Sequence, residues 1–228
     1  MKIINSYDEY SKIISPRMKK IFYTNNFLSE NEVKTEIQAK SLYYSEVKED
    51  VYIFRKRKNH FIMNYYTTLN ADMDKPNENI VTEIAYKIYP KDVIDFFEKE
   101  GMKKYIERVR LSRNEEGTFE DCKNVSLCEK EDAKEVFEIL NKYFDEFSGC
   151  IPTYESIEKD IENKNMYVYR KDRILGILHF SDGKLSSEIK HLVVVPEFRN
   201  IGIAQSLISN YLNNSVSKNE RVWTRYGK

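Results

Sequence analysis

The chain has 228 residues, and its 37 lysines and arginines balance its 37 aspartates and glutamates, so the formal net charge is zero. This length predicts roughly one and a half to two domains and excludes a small disulfide-stabilised protein. The balanced charge gives no overall attraction to nucleic acid or to an anionic membrane, so any binding must come from a local site. With 17 tyrosines and 12 phenylalanines, the chain is expected to fold rather than to stay disordered.

The three cysteines, Cys122, Cys128 and Cys150, indicate a reducing compartment. Their number is odd, and the sequence has neither an N-terminal apolar segment of the signal-peptide kind nor an unbroken apolar run of about 18 residues. We therefore expect a cytoplasmic protein without a membrane partner. The cysteines form no CxxC pair and the three histidines do not cluster with them, so we expect no metal site.

The first half of the chain has the patterns of a mixed α and β domain. Ser29 and Glu32 form the N-cap and N3 pair of a capping box, and Pro90 is well placed to begin a helix that stops at Gly101. His60 is interpreted as a hairpin turn residue. The predicted elements are helices at 6–20 and 29–44, strands at 51–57, 61–69 and 80–88, a helix from Pro90 to Gly101 and a strand at 105–111.

A polar stretch without periodicity, 112–118, is the best linker in the sequence. It predicts a smaller first domain at 1–114 and a second domain at 119–228. The second domain reads β-α-α-β-β-β-α-β, with a long strand and then an amphipathic helix near its end. Its predicted elements are a strand at 125–128, helices at 129–147 and 154–162, strands at 166–170, 174–180 and 185–195, a helix at 202–213 and a strand at 221–225.

The segment from Val193 to Leu207 is the one that indicates chemistry. It is a strand, a turn broken by a proline and a helix whose first turn contains Gly202 and Ala204. The first N–H groups of a helix lack intrahelical partners and lie at the positive end of its dipole, so they can bind a phosphate. Arg199 adds a cation beside them. A plain strand-to-helix connection with a solvated arginine explains the same residues and remains an alternative.

The run Arg199-Asn-Ile-Gly202-Ile-Ala204 resembles the acetyl-CoA-binding motif of the GNAT acyltransferases, Gln/Arg-x-x-Gly-x-Gly/Ala. The predicted element order over residues 125–225 is similar to the first five strands and three helices of that family. The resemblance implies an α/β fold, a mixed α+β sheet of the GNAT acyl-CoA N-acyltransferase kind, with acetyl-CoA as cosubstrate and no metal. It also implies that the backbone holds the cofactor diphosphate at Asn200, Ile201, Gly202, Ile203, Ala204 and Gln205, beside Arg199, and the pantetheine amides at Leu192, Val193 and Val194.

Acyl transfer to an amine needs a base, and Glu188 is our first prediction for it. It precedes Arg199 by 11 residues on the same predicted strand, a spacing similar to that of the glutamate base in the histone-acetylating branch of the family. Period-2 alternation places it on the face of Lys190, Leu192 and Val194. A surface charge is the alternative interpretation of Glu188.

Two histidines lie near the predicted base. His179, on the neighbouring strand, is the second choice of base. His191 is expected on the opposite face from Glu188, packed or at the surface. The main-chain N–H of Val194 or Val195 is the oxyanion donor that the resemblance implies.

The chain departs from the family after its fifth strand, where a further helix and two strands usually follow and often carry a tyrosine general acid. Tyr211 is expected in the core and Tyr226 at a mobile terminus, so neither is assigned as that acid. The end of the first domain, 80–111, looks like this missing tail and indicates a degenerate GNAT-like domain without the CoA motif. Either that domain shapes the acceptor pocket, or the second domain's own tail lies beyond Lys228.

The leading hypothesis is an N-acetyltransferase that moves an acetyl group from acetyl-CoA to a primary amine of a small molecule or peptide, by direct attack with general-base assistance. The alternative is a catalytically inactive acyl-CoA-binding sensor or interaction protein. Nucleic-acid binding through Arg55–Lys58 beside Tyr65 and Tyr66 is not expected, because four basic residues at a hairpin turn are usually a solvated tip. A homodimer is left open.

Overall fold

The computed structural model of the chain describes residues 1–113, 117, 119, 123–217 and 219–226. The chain divides into two compact units, Met1–Lys104 and Tyr105–Lys228. Cys122 and most of the predicted linker lie outside the described residues. Among the residues that are described, no helix is both long and apolar enough to cross a bilayer.

The first unit is built on a mixed sheet in the order β1-β3-β4-β5-β2, with β6 paired in parallel to β5. Ser29 and Glu32 form the predicted capping box at the start of α2. The elements are β1 (Lys2–Ile3), α1 (Tyr7–Ile14), β2 (Tyr23–Thr24), α2 (Glu30–Gln38), β3 (Leu42–Val47), β4 (Asp50–Lys56), β5 (His60–Thr67), β6 (Asn79–Thr82) and α3 (Lys91–Lys99).

Several predictions for the first unit are wrong. The first helix ends at Ile14 rather than at residue 20, and the strand predicted at 80–88 ends at Thr82. The second helix ends at Gln38 rather than at residue 44, and Lys40 adopts φ 52° to turn the chain into β3. The tyrosines of β3 pair across the sheet with β4, which overrides their helical spacing. His60 is not a turn residue: it begins β5 and is 5% exposed.

From β8 onward the second unit has the predicted β-α-α-β-β-β-α-β order, and with β7 its mixed sheet has six strands in the order β7-β12-β11-β10-β9-β8. The mixed α/β fold class is confirmed. Helices α4 and α5 pack on one face of the sheet and α6 packs on the other. The elements are β7 (Arg108–Arg113), β8 (Val125–Leu127), α4 (Ala133–Tyr143), α5 (Tyr154–Glu162), β9 (Met166–Arg170), β10 (Ile174–Asp182), β11 (Ser187–Val194), α6 (Ile203–Asn214) and β12 (Glu220–Arg225).

Strand β7 belongs to the second sheet, although the predicted boundary after residue 114 assigns it to the first domain. It pairs antiparallel with β12 over six positions, from Arg108 opposite Arg225 to Arg113 opposite Glu220. Without β7, strand β12 would present a free edge of N–H and C=O groups. Strand β7 therefore covers this edge of β12, and the division between the units falls at Lys104 and Tyr105.

A β-bulge interrupts β11 at Lys190. His179 of β10 lies opposite His191, but the next residue, Phe180, lies opposite Ile189, so Lys190 has no partner on β10. One extra residue reverses which side chains face which side of a sheet. Ile189 before the bulge and Leu192 after it consequently pack on the same cluster beneath α6.

A chain of buried polar groups crosses the core on the α4 and α5 face. Asp160 of α5 lies 3.0 Å (Oδ2) from His179 Nε2, and His179 Nδ1 lies 2.9 Å from His191 Nδ1. His191 Nε2 lies 2.7 Å from the carbonyl oxygen of Gly149, in the segment between α4 and α5. Both imidazoles are under 5% exposed, so the chain ties that segment to the sheet.

The proton positions in this series of hydrogen bonds can be worked out from its last acceptor, the carbonyl oxygen of Gly149. A carbonyl oxygen can only accept, so His191 Nε2 donates to Gly149. Burial lowers the pKa of His191 to about 4. The ring is therefore neutral at neutral pH, and its Nδ1 carries no proton. His179 Nδ1 must then donate to His191. Burial would raise the pKa of Asp160, but the hydrogen bond and the charge of His179 bring it below its usual value.

We expect the second unit to lose stability as pH falls from 7.5 to 5. The unfolded state binds a proton on His191 near its ordinary pKa of 6.5 and the folded state binds it only near 4, which makes the loss about 2 kcal/mol. The fluorescence of Trp223, the one tryptophan, follows denaturant unfolding of this unit. The free energy of unfolding differs between pH 7.5 and pH 5, and His191→Asn should reduce this difference by about 2 kcal/mol. His60→Asn, in the first unit, is the control; an unchanged difference in His191→Asn contradicts the assignment.

Candidate functional site

The site lies where β11 and β12 separate. The two parallel strands pair at Ser187–Glu220, Glu188–Arg221 and Ile189–Val222, and no later pair joins them within the described residues. Beyond this point the sheet opens into a cavity of about 650 Å³. The cavity has walls on both faces of the sheet, because α6 contributes residues from one side and the segment after α4 from the other.

Strand β11 offers backbone hydrogen-bonding groups to this opening. Val195 N–H donates to Leu175 O of β10 at 2.9 Å. Because the N–H and C=O groups of successive residues in a strand point to opposite sides, Val193 also directs its groups to β10, whereas Leu192 and Val194 direct theirs away from it. Two of the three predicted pantetheine-binding residues therefore present backbone groups to the cavity.

The start of α6 forms an anion cradle, by which we mean the backbone of residues 200–205. Asn200 adopts φ 63° and Gly202, the N-cap, φ 89°; no side chain caps the helix. The first N–H groups of α6 therefore have no protein partner. Asparagine and glycine are the residues that tolerate such left-handed backbone. A Cβ placed on Gly202 meets nothing within 4 Å, so the space before these donors is open.

Gly176 of β10 brings the cradle close to the sheet. A Cβ at this position would lie 2.8 Å from Ile203 Cγ2 and 3.0 Å from Leu207 Cδ1. A larger residue would force these two side chains, or the first turns of α6 that carry them, to shift. The missing side chain at one strand position thus sets how near the helix N-terminus lies to the free backbone of β11.

Arg199 supplies the cation that the motif predicts. Its Nε donates to the carbonyl oxygen of Val194 at 3.0 Å, and its side chain lines the cavity. The hydrogen bond holds the guanidinium between β11 and the cradle, where positive charge favours a phosphate. It also occupies one of the carbonyl groups that the resemblance assigns to the cofactor.

Nine of the ten predicted cofactor-binding residues line the cavity. The exception is Ile201, whose side chain is 61% exposed and points away from it. The nine are Leu192, Val193, Val194, Arg199, Asn200, Gly202, Ile203, Ala204 and Gln205.

The remaining walls come from residues that the sequence did not single out. Asp145 organises the segment after α4: its carboxylate accepts from the Phe147 and Ser148 amides at 2.9 Å each and from the Tyr105 hydroxyl at 2.5 Å. Only the tertiary fold brings these residues to the motif. The other walls consist of Ile106, Arg108, Tyr143, Phe144, Ser148, Gly149, Lys190, Phe198, Trp223 and Arg225.

The predicted base Glu188 lies on the other face of β11 from the one expected. Because the bulge at Lys190 reverses the alternation, Glu188 shares the α4 and α5 face with His191 instead of sharing a face with Leu192. It is half-buried, sits beside Arg221 at the last paired positions before the opening, and does not line the cavity itself.

The two histidines do not line the cavity either. The side chains of His179 and His191 both take part in the buried series of hydrogen bonds that ends at Gly149. His191 lies on the same face as Glu188 rather than on the opposite one.

The resemblance implies two oxyanion donors, the N–H groups of Val194 and Val195. The Val195 N–H already donates to the carbonyl oxygen of Leu175. The Val194 N–H is therefore the remaining candidate for the oxyanion donor.

Two further reactive side chains in this unit, those of Cys128 and Tyr211, are buried. Burial raises the pKa of the Cys128 thiol to about 12 and that of the Tyr211 hydroxyl, which donates to Ser187 Oγ, to about 12. Tyr211 is therefore a core residue, as expected, and Tyr226 is 68% exposed. In the described part of the chain no three histidine, cysteine or acidic side chains form a group that could hold a metal.

Comparison with known proteins agrees with this geometry. Residues 127–224 match the model of the acetyltransferase (GNAT) domain. A solved GCN5-related N-acetyltransferase from Sphaerobacter thermophilus is 11% identical with a TM-score of 0.56, over 77% of this chain and 67% of that one. That coverage exceeds the second unit, so the likeness in fold extends into residues 1–104. None of the curated proteins compared with the chain is a match.

Two further solved structures are similar over less of the chain. A Mycobacterium tuberculosis protein in complex with CoA is 12% identical over 39% of this chain, with a TM-score of 0.35, and this chain spans 55% of its length. A ribosomal-protein-alanine N-acetyltransferase from Brucella melitensis is 20% identical over 43% of this chain and 77% of that one, with a TM-score of 0.34. The residues that match the GNAT acetyltransferase domain model, 127–224, all lie within the second unit and include the strand–turn–helix segment that lines the cavity.

Proposed function

We propose that the second unit transfers an acetyl group from acetyl-CoA to a primary amine of a small molecule or peptide. The observation that carries the proposal is the juxtaposition of two sets of backbone donors: the free edge of β11 at Leu192 and Val194, and the cradle at 200–205. A linear cofactor with amides along its arm and a diphosphate at its end matches both sets at once.

The residues present fit acyl-CoA. The cradle and Arg199 would hold the diphosphate, and the free backbone of β11 would pair with the pantetheine amides in the manner of an added strand. Bound acetyl-CoA supplies an activated acyl group at a thioester. The Val194 N–H, which points away from β10, would stabilise the oxyanion of the tetrahedral intermediate.

Glu188 is the proposed base, by elimination among the groups near the opening. The two histidines are buried. Burial would raise the pKa of the Asp145 carboxyl, but hydrogen bonds from Tyr105, Ser148 and Phe147 hold it below its usual value, so this carboxylate is a weaker base. Glu188 lies at the point where β11 and β12 part. A carboxylate there can take a proton from an entering ammonium group, directly or through one water.

The alternative is an acyl-CoA-binding sensor without turnover. The position of Glu188, outside the cavity lining, favours it, because a base must come within hydrogen-bond reach of the amine. Both functions require acyl-CoA binding. Release of free thiol from acetyl-CoA over a panel of primary amines separates them: amine-dependent release identifies a transferase, and binding without release identifies a sensor.

We expect Arg199→Gln to weaken acetyl-CoA binding about tenfold or more, because it removes a charge-assisted contact beside the cradle. Isothermal titration of acetyl-CoA into the full chain measures this dissociation constant. Arg221→Gln, which removes the same charge from β12 outside the cavity lining, should leave it unchanged. Equal affinities of Arg199→Gln and the wild type would show that the Arg199 charge does not contribute to binding.

We expect Glu188→Gln to lower kcat by about 10²- to 10⁴-fold, the usual contribution of a general base, without changing the affinity for acetyl-CoA. Glu155→Gln, on the exposed side of α5, is the charge-matched control. A full rate in Glu188→Gln would remove this residue from the mechanism while leaving the cofactor site intact.

A further inference from the structure

The cavity is strongly basic in a chain that has no net charge. Four cations line it and one carboxylate, Asp145, joins them. That carboxylate already accepts three hydrogen bonds from its own segment. The four cations are Arg108, Lys190, Arg199 and Arg225.

Two of these cations face each other across neighbouring strands. Arg108 of β7 and Arg225 of β12 are direct partners in the antiparallel pair, so their side chains lie on the same face of the sheet, and both line the cavity. Like charges placed directly opposite each other destabilise a sheet. Arg108 also donates to the carbonyl oxygen of Ser148 at 3.4 Å, whereas Arg225 has no ion-pair partner among the described residues and is the cation of the pair that a bound anion would reach.

This arginine pair is separate from the cradle. Val222 packs on the cluster beneath α6, and the Ser215 hydroxyl at the end of α6 donates to Glu220 at 3.0 Å, so the even-numbered residues of β12 face α6. Trp223 and Arg225 consequently face the side of α4 and α5. The cofactor diphosphate would lie at the α6 side, so it does not account for the cations on the other face.

The α4 and α5 side is also the side of Glu188, the proposed base. An amine that reaches Glu188 from this side passes Trp223 and Lys190, which line the same cavity. Lys190 is exposed at the bulge and, like Arg225, has no ion-pair partner among the described residues. The entry to the proposed base is thus lined by an indole ring and by cations.

We propose that the acceptor is an amine that also carries an anionic group, a carboxylate or a phosphate, which Arg225 and Arg108 bind on the α4 and α5 side of the cavity. This inference rests on the proposed function. Arginine binds both oxyanions through paired hydrogen bonds. The positive cavity would also raise the rate at which such an acceptor arrives, and salt would screen that effect.

The test compares matched acceptors in the thiol-release assay with the full chain. The pairs are glycine against glycinamide, O-phosphoethanolamine against ethanolamine, and a peptide with glutamate beside its amine against its glutamine form. We expect kcat/KM to be about 10- to 100-fold higher for the anionic member of at least one pair. The pair that responds identifies the anion as carboxylate or phosphate.

The variants Arg225→Gln and Arg221→Gln assign the preference to the cavity. Arg225→Gln should raise KM for the anionic acceptor by about 10-fold or more and leave the affinity for acetyl-CoA unchanged. Arg221→Gln, with the same charge change on the same face of β12 but outside the lining, should retain the preference. Equal rates for both members of every pair, or retention of the preference in Arg225→Gln, would overturn the proposal.

Anion binding measured without turnover distinguishes the proposal of an anion site from the proposed acetyl transfer. Trp223 lines the cavity and is the one tryptophan, so its fluorescence reports inorganic phosphate or acetate added to the acetyl-CoA complex. Saturable quenching in the wild type that Arg225→Gln weakens supports the anion site even if no tested amine is acetylated; identical titrations overturn it. Failure of acetyl-CoA to bind would instead refute the proposed function.

Discussion

The separation of β11 from β12 is the constraint on which the site depends. A parallel pair that continued past Ile189 and Val222 would satisfy the backbone groups of Leu192 and Val194 and leave no room for a ligand. Several features combine to hold the strands apart at this point. The bulge at Lys190 interrupts β11, α6 begins close to the sheet over Gly176, and β7 pairs with β12 from its other side.

The opening divides the chemistry of the site between the two faces of one sheet. On the α6 face lie the backbone donors and Arg199, which we propose hold the phosphorylated carrier. On the α4 and α5 face lie Glu188 and the arginine pair of β7 and β12. A carrier and an acceptor can therefore approach from opposite sides and meet where the strands part, which is the arrangement that direct transfer requires. The buried chain from Asp160 to Gly149 anchors the wall of the second face.

Local sequence patterns predicted much of this unit. Helix α5 was predicted at the residues where it lies, and the motif at 199–204 placed the cradle at the start of α6. What the sequence could not show depends on long-range pairing. The bulge arises between β10 and β11, so simple alternation put Glu188 on the wrong face, and β7 was assigned to the first domain because its partner lies more than 100 residues away. The helix predicted at 129–147 ran through the Asp145 segment, whereas α4 ends at Tyr143, so the position of this segment in the cavity wall was not predicted.

Amide hydrogen exchange resolved by residue tests the separated strands most directly. If the backbone of β11 is free beyond Ile189, the amides of Leu192 and Val194 should exchange readily in the protein alone and become protected, together with Ile203, Ala204 and Gln205, when acetyl-CoA is added. The amide of Val195, which donates to Leu175, should be protected in both states. Protection of Leu192 and Val194 before any ligand is added, or acetyl-CoA binding that leaves their exchange unchanged, would contradict this account.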